Sequence, residues 1–364
     1  MRYAVILAGG AGTRLWPMSR AEKPKQLIPL VDGRSLLELA HERLVGLVPD
    51  EQCLVCAGRS HAEEIHKVLP QLGQERFLGE PCGRDTLAAI GLCAAVPARR
   101  DPEAVVAIFT ADHVIGPIGR FQAIVNSGYE LVERRPEALV TFGITPTGPA
   151  TGYGYLELGE PLDGTARRLR RFREKPKLEA AREYYGAGPD RFLWNSGMLV
   201  YRAETLLEAI RRHAPADHER LLRIAEVWDT PRRDETIDKI YPTLTKTSLE
   251  YAVLEPASLD PEVTLAALPM PVDWLDVGSW SSLGMICRRD KDENVFATPR
   301  AMFMDSRKTL AASSDPDHLI ATIGCDELVI VHTPDATLVC HVDKIDSIKE
   351  LYRQIAERWG GEYI

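Results

Sequence analysis

Three glycines, Gly9, Gly10 and Gly12, follow the apolar run Tyr3-Ala-Val-Ile-Leu7, and four cations, Arg14, Arg20, Lys23 and Lys25, come within the next stretch. Glycines after a buried strand let backbone N–H groups approach an anion closely. Cations beside such a loop suit a triphosphate, and Pro24 stiffens the stretch that carries them. Two familiar phosphate loops do not fit. No Gly-Lys-Ser/Thr ends the segment, and Leu15 stands where a dinucleotide fingerprint needs its third glycine. Taken alone, the segment could still be a tight strand-to-helix turn with a solvated basic face, the lesser of the two readings.

Other residues carry chemistry of their own. Asp112 follows the apolar run 104–110, where a carboxylate can ligate Mg²⁺ beside waters and phosphate oxygens. In Glu80-Pro-Cys-Gly-Arg-Asp-Thr86, Glu80 and Arg84 can offer an acceptor and donors to a base edge, while Asp85 can simply cap a helix. Glu174-Lys175 by itself is an ordinary surface ion pair, and the tyrosines of Thr151-Gly-Tyr-Gly-Tyr-Leu-Glu157 by themselves are packing residues. Cys53-Leu-Val-Cys56 has the redox spacing, but it lies in an apolar run with no second pair, so it reads as buried strand thiols. No Ser–His–Asp or Cys–His pattern stands out.

Strands and helices must place these groups. Residues 3–7, 53–57, 104–110 and 138–143 read as strands. Helices are expected over 62–72, 85–95 and 121–134, and one opened by the capping box Ser35-Leu-Leu-Glu38. The apolar positions Leu36, Leu37, Ala40, Leu44 and Leu47 extend that last helix. This alternation predicts an α/β fold with a doubly wound, mixed, mostly parallel sheet. In such sheets ligands bind beyond the carboxyl ends of the strands, which singles out the loop after Leu7 and Asp112. The middle third mixes strands (153–158, 167–173, 197–201, 263–268) with loops. Composition shifts near residue 290. Beyond it, strands 328–332 and 337–342 flank the turn Thr333-Pro-Asp-Ala336, and a helix starts at Ser347-Ile-Lys-Glu350 and stops at Gly360-Gly361. The expected division is 1–289 and a small β-rich unit, 290–364, that ends in a helix.

The chain has 364 residues and a net charge of -9. The charge argues against nucleic acid or an anionic membrane as main partner. With no long apolar run and no leader layout, a cytoplasmic protein is expected.

The segment 7–15 together with Lys23-Pro-Lys-Gln26 resembles the signature of the sugar-1-phosphate nucleotidyltransferases, and in particular the mannose-1-phosphate guanylyltransferase branch. Further motifs follow in order: Glu80–Thr86, Thr110-Ala-Asp-His113, Thr151–Glu157, Arg173-Glu-Lys-Pro176, Phe192-Leu-Trp-Asn-Ser-Gly197 and Asp273-Trp-Leu-Asp-Val-Gly-Ser-Trp280. The resemblance implies a Rossmann-like catalytic unit that joins GTP to mannose 1-phosphate. Leu7, Ala8, Gly9, Gly10, Gly12 and Thr13 would cradle the nucleotide, and Glu80, Pro81, Arg84 and Thr86 would border its base. Arg14 and Lys25 would cover the triphosphate. Asp112 and Asp276 would hold Mg²⁺ (or Mn²⁺). Gly154, Glu174 and Asn195 would meet the sugar, and Lys175 its phosphate. His113, Trp274 and Trp280 would be supporting or wall residues.

The nucleophile would be a phosphate oxygen already largely ionised at neutral pH, with a second pKa of about 6, so no general base is required. Rivals are other sugar specificities (a heptose guanylyl-, thymidylyl- or uridylyltransferase) and a non-catalytic nucleotide-sugar-binding subunit. The latter would be expected to lose the basic loop or a metal carboxylate. The resemblance also implies a homodimer and a C-terminal unit related to a left-handed β-helix, although no hexapeptide repeat is legible there. With no room after Ile364 for the isomerase domain of longer relatives, a single activity is expected.

Overall fold

A computed structural model describes residues 1–10, 12–31 and 33–364. Among these residues the central sheet has nine strands. From one edge they run Phe77–Glu80, Cys53–Gly58, Arg2–Leu7, Val105–Thr110, Phe192–Arg202, Ala138–Ile144, Thr264–Pro269, Ala166–Arg173 and Tyr155–Asp163. The first four are mutually parallel, as are Ala138–Ile144 and Thr264–Pro269. Phe192–Arg202 and Ala166–Arg173 run against their neighbours. The sheet is therefore mixed with most strands in one direction, as the alternation predicted.

Val105–Thr110 and Ala138–Ile144 are apolar almost throughout because both of their faces are covered. One face packs on the Asp85–Arg100 and Ala203–His213 helices, the other on the Ile118–Arg134 helix. Ser35 and Glu38 form the expected reciprocal cap. That helix ends at Glu42, however, and Leu44 and Leu47 are buried from the turns beyond it. The helix expected over 62–72 stops at Val68, because Leu69 precedes Pro70 and leaves the helical region. Three helices, Leu178–Ala187, Pro215–Glu226 and Arg233–Ile240, stand where the middle third was expected to hold strands and loops. No helix of the described residues is long and apolar enough to cross a membrane.

In the C-terminal part Val295–Ala297, Leu310–Ser313 and Leu328–His332 pair in parallel. So do Ala301–Met304 and Ile320–Ile323, and Arg307 bridges Asp326 in the same sense. The chain thus stacks coils whose successive faces pair with the coil before. Leu328–His332 and Thr337–His341 form the expected hairpin, closed by Thr333 N–H on the Ala336 carbonyl. The last helix is Ile348–Trp359. Ser347 does not cap it, because Val342–Ser347 is already a helical turn. A third core cluster joins both parts: Leu15, Trp16, Val277 and Trp280 pack with Val329, Val331, Leu338 and Ile348.

Candidate active site

Register places the loop after Leu7. Leu7 pairs with Cys56 on one side and Thr110 on the other, so the loop leaves the carboxyl end of the sheet beside the turn that carries Asp112. Gly10 (φ 100°) and Gly12 (φ 59°) have left-handed backbones. A Cβ on Gly12 would lie 2.9 Å from Lys25 Cβ, so only glycine lets the loop rest on that lysine. Gln26 Nε2 donates to the Gly9 carbonyl, and Ser19 Oγ donates to the Gly12 carbonyl at 2.7 Å. Ala11 lies outside the described residues.

Lys25 is buried. Its Nζ donates to the Val277 carbonyl at 3.1 Å and pairs with Asp112 Oδ2 at 2.8 Å. Burial favours the neutral acid at Asp112, but Lys25, with His113 and a backbone hydrogen bond, outweighs it and keeps that carboxyl below the usual range. Asp276 arrives by strand pairing: Asp273–Asp276 runs antiparallel to His113–Gly116, with Asp276 opposite His113. Ligand atoms of Asp112, His113 and Asp276 lie within 4.8 Å of one another, a donor set that suits a divalent cation. Two carboxylates supply the charge such an ion prefers. His113 is buried, its Nδ1 lies 2.6 Å from Thr110 Oγ1 and accepts from Trp274 Nε1 at 3.1 Å, and burial lowers its pKa.

Arg14 packs against Gly278, where a Cβ would meet its Nη2 at 3.1 Å. Arg20 turns away. It pairs with Asp335 of the C-terminal part at 2.7 Å. Lys23 is exposed. The four cations of the sequence are thus divided, and Arg14 and Lys25 are the two beside the carboxylates.

The residues expected to meet the sugar also converge. A Cβ on Gly154 would lie 2.6 Å from Glu174 Oε2 and 3.3 Å from Asn195 Cβ. Thr141 Oγ1 lies 2.7 Å from Asn195 Oδ1 and 3.1 Å from the Met198 carbonyl, which anchors the Asn195 side chain. Lys175 Nζ lies 2.9 Å from Glu174 Oε1. The lysine stem's burial works against its charge, but Glu174, with Glu250 behind it, holds its pKa above the ordinary value. Lys175 has φ 42°, a backbone uncommon for residues with side chains. It is held there because Glu255 accepts from Glu174 N–H at 3.2 Å and from Arg173 at 2.8 Å.

The segment 80–86, expected to border a base, has its side chains more occupied than expected. Glu80 is buried and accepts from the Tyr241 hydroxyl, and burial raises its pKa. Arg84 donates to the Pro242 carbonyl. Thr86 Oγ1 donates to Glu250 at 3.0 Å and accepts from Leu249 N–H at 2.9 Å. These three side chains brace the segment against 241–250, which leaves Pro81 and the backbone as its open parts.

Several residues escaped the sequence reading. Tyr153 packs on Trp194 and Trp274 at ring distances of 5.0 and 5.1 Å. Burial, with Asp276 nearby, pushes its hydroxyl up to about 12. It links the carboxylate cluster to Gly154, and its place beside that glycine was the available signal. Arg43 is fully buried and donates to the Thr110 and His113 carbonyls, which clamps the turn of Asp112. Burial lowers its pKa to about 10. Nothing in its spacing set it apart. Cys53 and Cys56 are buried free thiols, and burial raises Cys53 to about 11.

Known proteins match this chain in sequence and fold. The family described as "Nucleotidyl transferase" matches residues 3–293, and "MannoseP isomerase/GMP-like beta-helix domain" matches residues 300–355. Xanthan biosynthesis protein XanB of Xanthomonas campestris pv. campestris is 36% identical over 357 residues, which is 96% of this chain and 72% of that protein. Mannose-1-phosphate guanylyltransferase of Escherichia coli K12 is 33% identical over 362 residues, 97% of this chain and 73% of that one. A crystal structure from Thermus thermophilus, described as a mannose-1-phosphate geranyltransferase, superposes with a TM-score of 0.85 at 31% identity. The match covers 97% of this chain and 99% of that one. The glycine loop, the paired carboxylates and the Gly154–Glu174–Asn195 cluster sit in a chain that belongs to the nucleotidyl transferase family.

Proposed function

We propose that this chain transfers GMP from GTP to α-D-mannose 1-phosphate, giving GDP-mannose and pyrophosphate. The observation that carries the reading is the joining of two half-sites. Lys25, Asp112 and Asp276 form one, and Gly154, Glu174 and Asn195 the other, with Tyr153 between them. The guanylyltransferase named among its relatives supports guanine and mannose as the substrates. Retention of Arg14, Lys25, Asp112 and Asp276 argues against a purely regulatory subunit.

The loop amides of Gly9, Gly10, Gly12 and Thr13, with Arg14 and Lys25, bind the triphosphate. Asn195 and Glu174 orient the sugar through its hydroxyls, and Lys175 holds its phosphate. A phosphate oxygen of the sugar phosphate attacks the α-phosphorus in line, and the bond to the departing pyrophosphate breaks. Because the nucleophile is already ionised, positioning and charge supply the catalysis. Asp112 and Asp276 would hold Mg²⁺ (or Mn²⁺), which neutralises phosphate charge when bound.

Residues 1–289 form the catalytic unit and 290–364 the β-rich one. Exposed Met302, Met304, Leu319 and Ile323 on the C-terminal coils support a homodimer. Buried thiols at Cys53, Cys56 and Cys93 support a cytoplasmic location. The test is product formation. GTP, mannose 1-phosphate and Mg²⁺ should yield GDP-mannose and pyrophosphate in equal amounts. Lys25→Ala and Asp112→Asn should each lower turnover by on the order of 10²–10³. Folded variants with near-normal rates would refute these roles.

A further inference from the structure

Residues 250–254 form a π-helical turn, in which Glu255 N–H donates to the Glu250 carbonyl. Such turns are rare and frequently lie at functional sites. In an α-helix, side chains five residues apart point about 140° away from each other. The wider turn swings Glu250 and Glu255 towards a common side. Leu249, Val253 and Leu254 are buried and fix the segment in the core.

Each end of this segment holds a different part of the site. Thr86 Oγ1 donates to Glu250 Oε2 at 3.0 Å and accepts from Leu249 N–H at 2.9 Å. Leu87 N–H donates to the Thr247 carbonyl at 3.2 Å. At the other end Glu255 accepts from Glu174 N–H and from Arg173. The same two places carry backbone strain. Among the described residues before 290, Asp85 (φ 65°) and Lys175 (φ 42°) are the two non-glycine residues in the left-handed region. Such a backbone costs free energy and persists only where its surroundings enforce it. Their chain neighbours Thr86 and Glu174 are the residues that Glu250 and Glu255 hold. The Glu250 carboxyl is also within electrostatic reach of Glu174 and Lys175.

We infer that Glu250 is a positioning residue that couples the two substrates, because its bond to Thr86 and its turn to Glu255 make the backbones of Asp85 and Lys175 set each other. This rests on the reading of 80–86 as the nucleotide's border and of Glu174 and Lys175 as the holders of the sugar phosphate. A nucleotide that fixes 80–86 fixes Glu250, and with it Glu255 and the strained Lys175. Lys175 is then already ordered when the sugar phosphate arrives, so less ordering cost falls on that second step. Linkage makes the effect reciprocal.

Titration calorimetry on the full chain tests this. The probes are mannose 1-phosphate and α,β-methylene GTP with Mg²⁺, whose carbon bridge blocks transfer. The nucleotide analogue should tighten mannose 1-phosphate by about fivefold or more, and Glu250→Ala should bring that ratio to within about twofold of one. The affinity of Glu250→Ala for each probe alone should stay within about threefold of the parent, because a coupling residue acts on the ratio. Glu250→Gln still accepts from Thr86 and should restore the ratio. Thr86→Val removes the donor and should lose it, which gives the same reading if Glu250→Ala does not fold. The double variant Thr86→Val/Glu250→Ala should lose no more than either single variant, since both break one link. A parent ratio near one, or a parent-like ratio in Glu250→Ala or Thr86→Val, would overturn the inference and leave the substrate reading standing. Weaker binding of both probes with the ratio kept would make Glu250 a structural brace and overturn it as well. A parent chain that binds neither probe would sink the substrate reading and the inference together.

Discussion

At the scale of single residues, burial decides which charges are useful. Glu80 shows the cost. Burial raises its carboxyl above the ordinary value of about 4.3, and the Tyr241 hydroxyl partly offsets this. The folded chain therefore holds a proton that the unfolded chain has released between those two values. Stability from this group is full below the unfolded value and is lost as pH rises through the folded one. Glu80→Gln should flatten that part of the profile, read as urea midpoints from about pH 4.5 to 7.5 against the parent. Tyr241→Phe should cost about 1–3 kcal/mol, because the buried Glu80 carboxyl loses its hydrogen-bond donor. An unchanged profile in Glu80→Gln would show that this carboxyl does not set the slope. Asp112 behaves oppositely, since Lys25 beside it holds its pKa down.

At the scale of elements, strand ends and tight turns do the positioning. The Asp273–Asp276 pairing with His113–Gly116 brings together two carboxylates that are far apart in sequence. Gly154 lets Tyr155–Asp163 begin against Glu174 and Asn195. Gly154→Ala should displace Glu174 and disturb its pair with Lys175. The expected result is a rise in KM for the sugar phosphate of at least tenfold with little change for the nucleotide, measured by steady-state kinetics. An equal rise for both substrates would contradict the division into half-sites. Much of this was legible beforehand. The glycine loop, the central strands and the C-terminal hairpin carry local signals: apolar continuity, glycine clusters and turn residues. The helices 178–187, 215–226 and 233–240 are rich in charged residues, and the middle strands around them dominated the reading. The partners of Glu80, Arg84 and Thr86 come from 241–250, a separation no local pattern reveals.

At the scale of the whole molecule, the C-terminal part packs into the segment that follows the glycine loop. Trp280 is fully buried in the shared core, and its Nε1 donates to the Trp16 carbonyl at 3.2 Å. Trp16 Nε1 in turn donates to the Tyr363 carbonyl at 2.7 Å. The segment after the glycine loop therefore rests on the chain's last residues. Trp280→Ala should cost about 3–5 kcal/mol and lower turnover as well, because Leu15 and Val277 pack in the same cluster beside Arg14 and Lys25. Denaturation followed by tryptophan fluorescence and by activity should show coincident transitions. A variant that loses the C-terminal signal first, with activity intact, would contradict a shared core. The same joining explains why Arg20 faces Asp335 and not Asp112 and Asp276.

The most direct measurement of the central claim is pyrophosphate release across a grid of nucleoside triphosphates and hexose 1-phosphates with Mg²⁺ present. The account predicts the highest kcat/KM for GTP with mannose 1-phosphate, and loss of that activity in Lys25→Ala. Absence of that pair from the best combinations would contradict the substrate assignment, and no release with any pair would contradict the reaction itself.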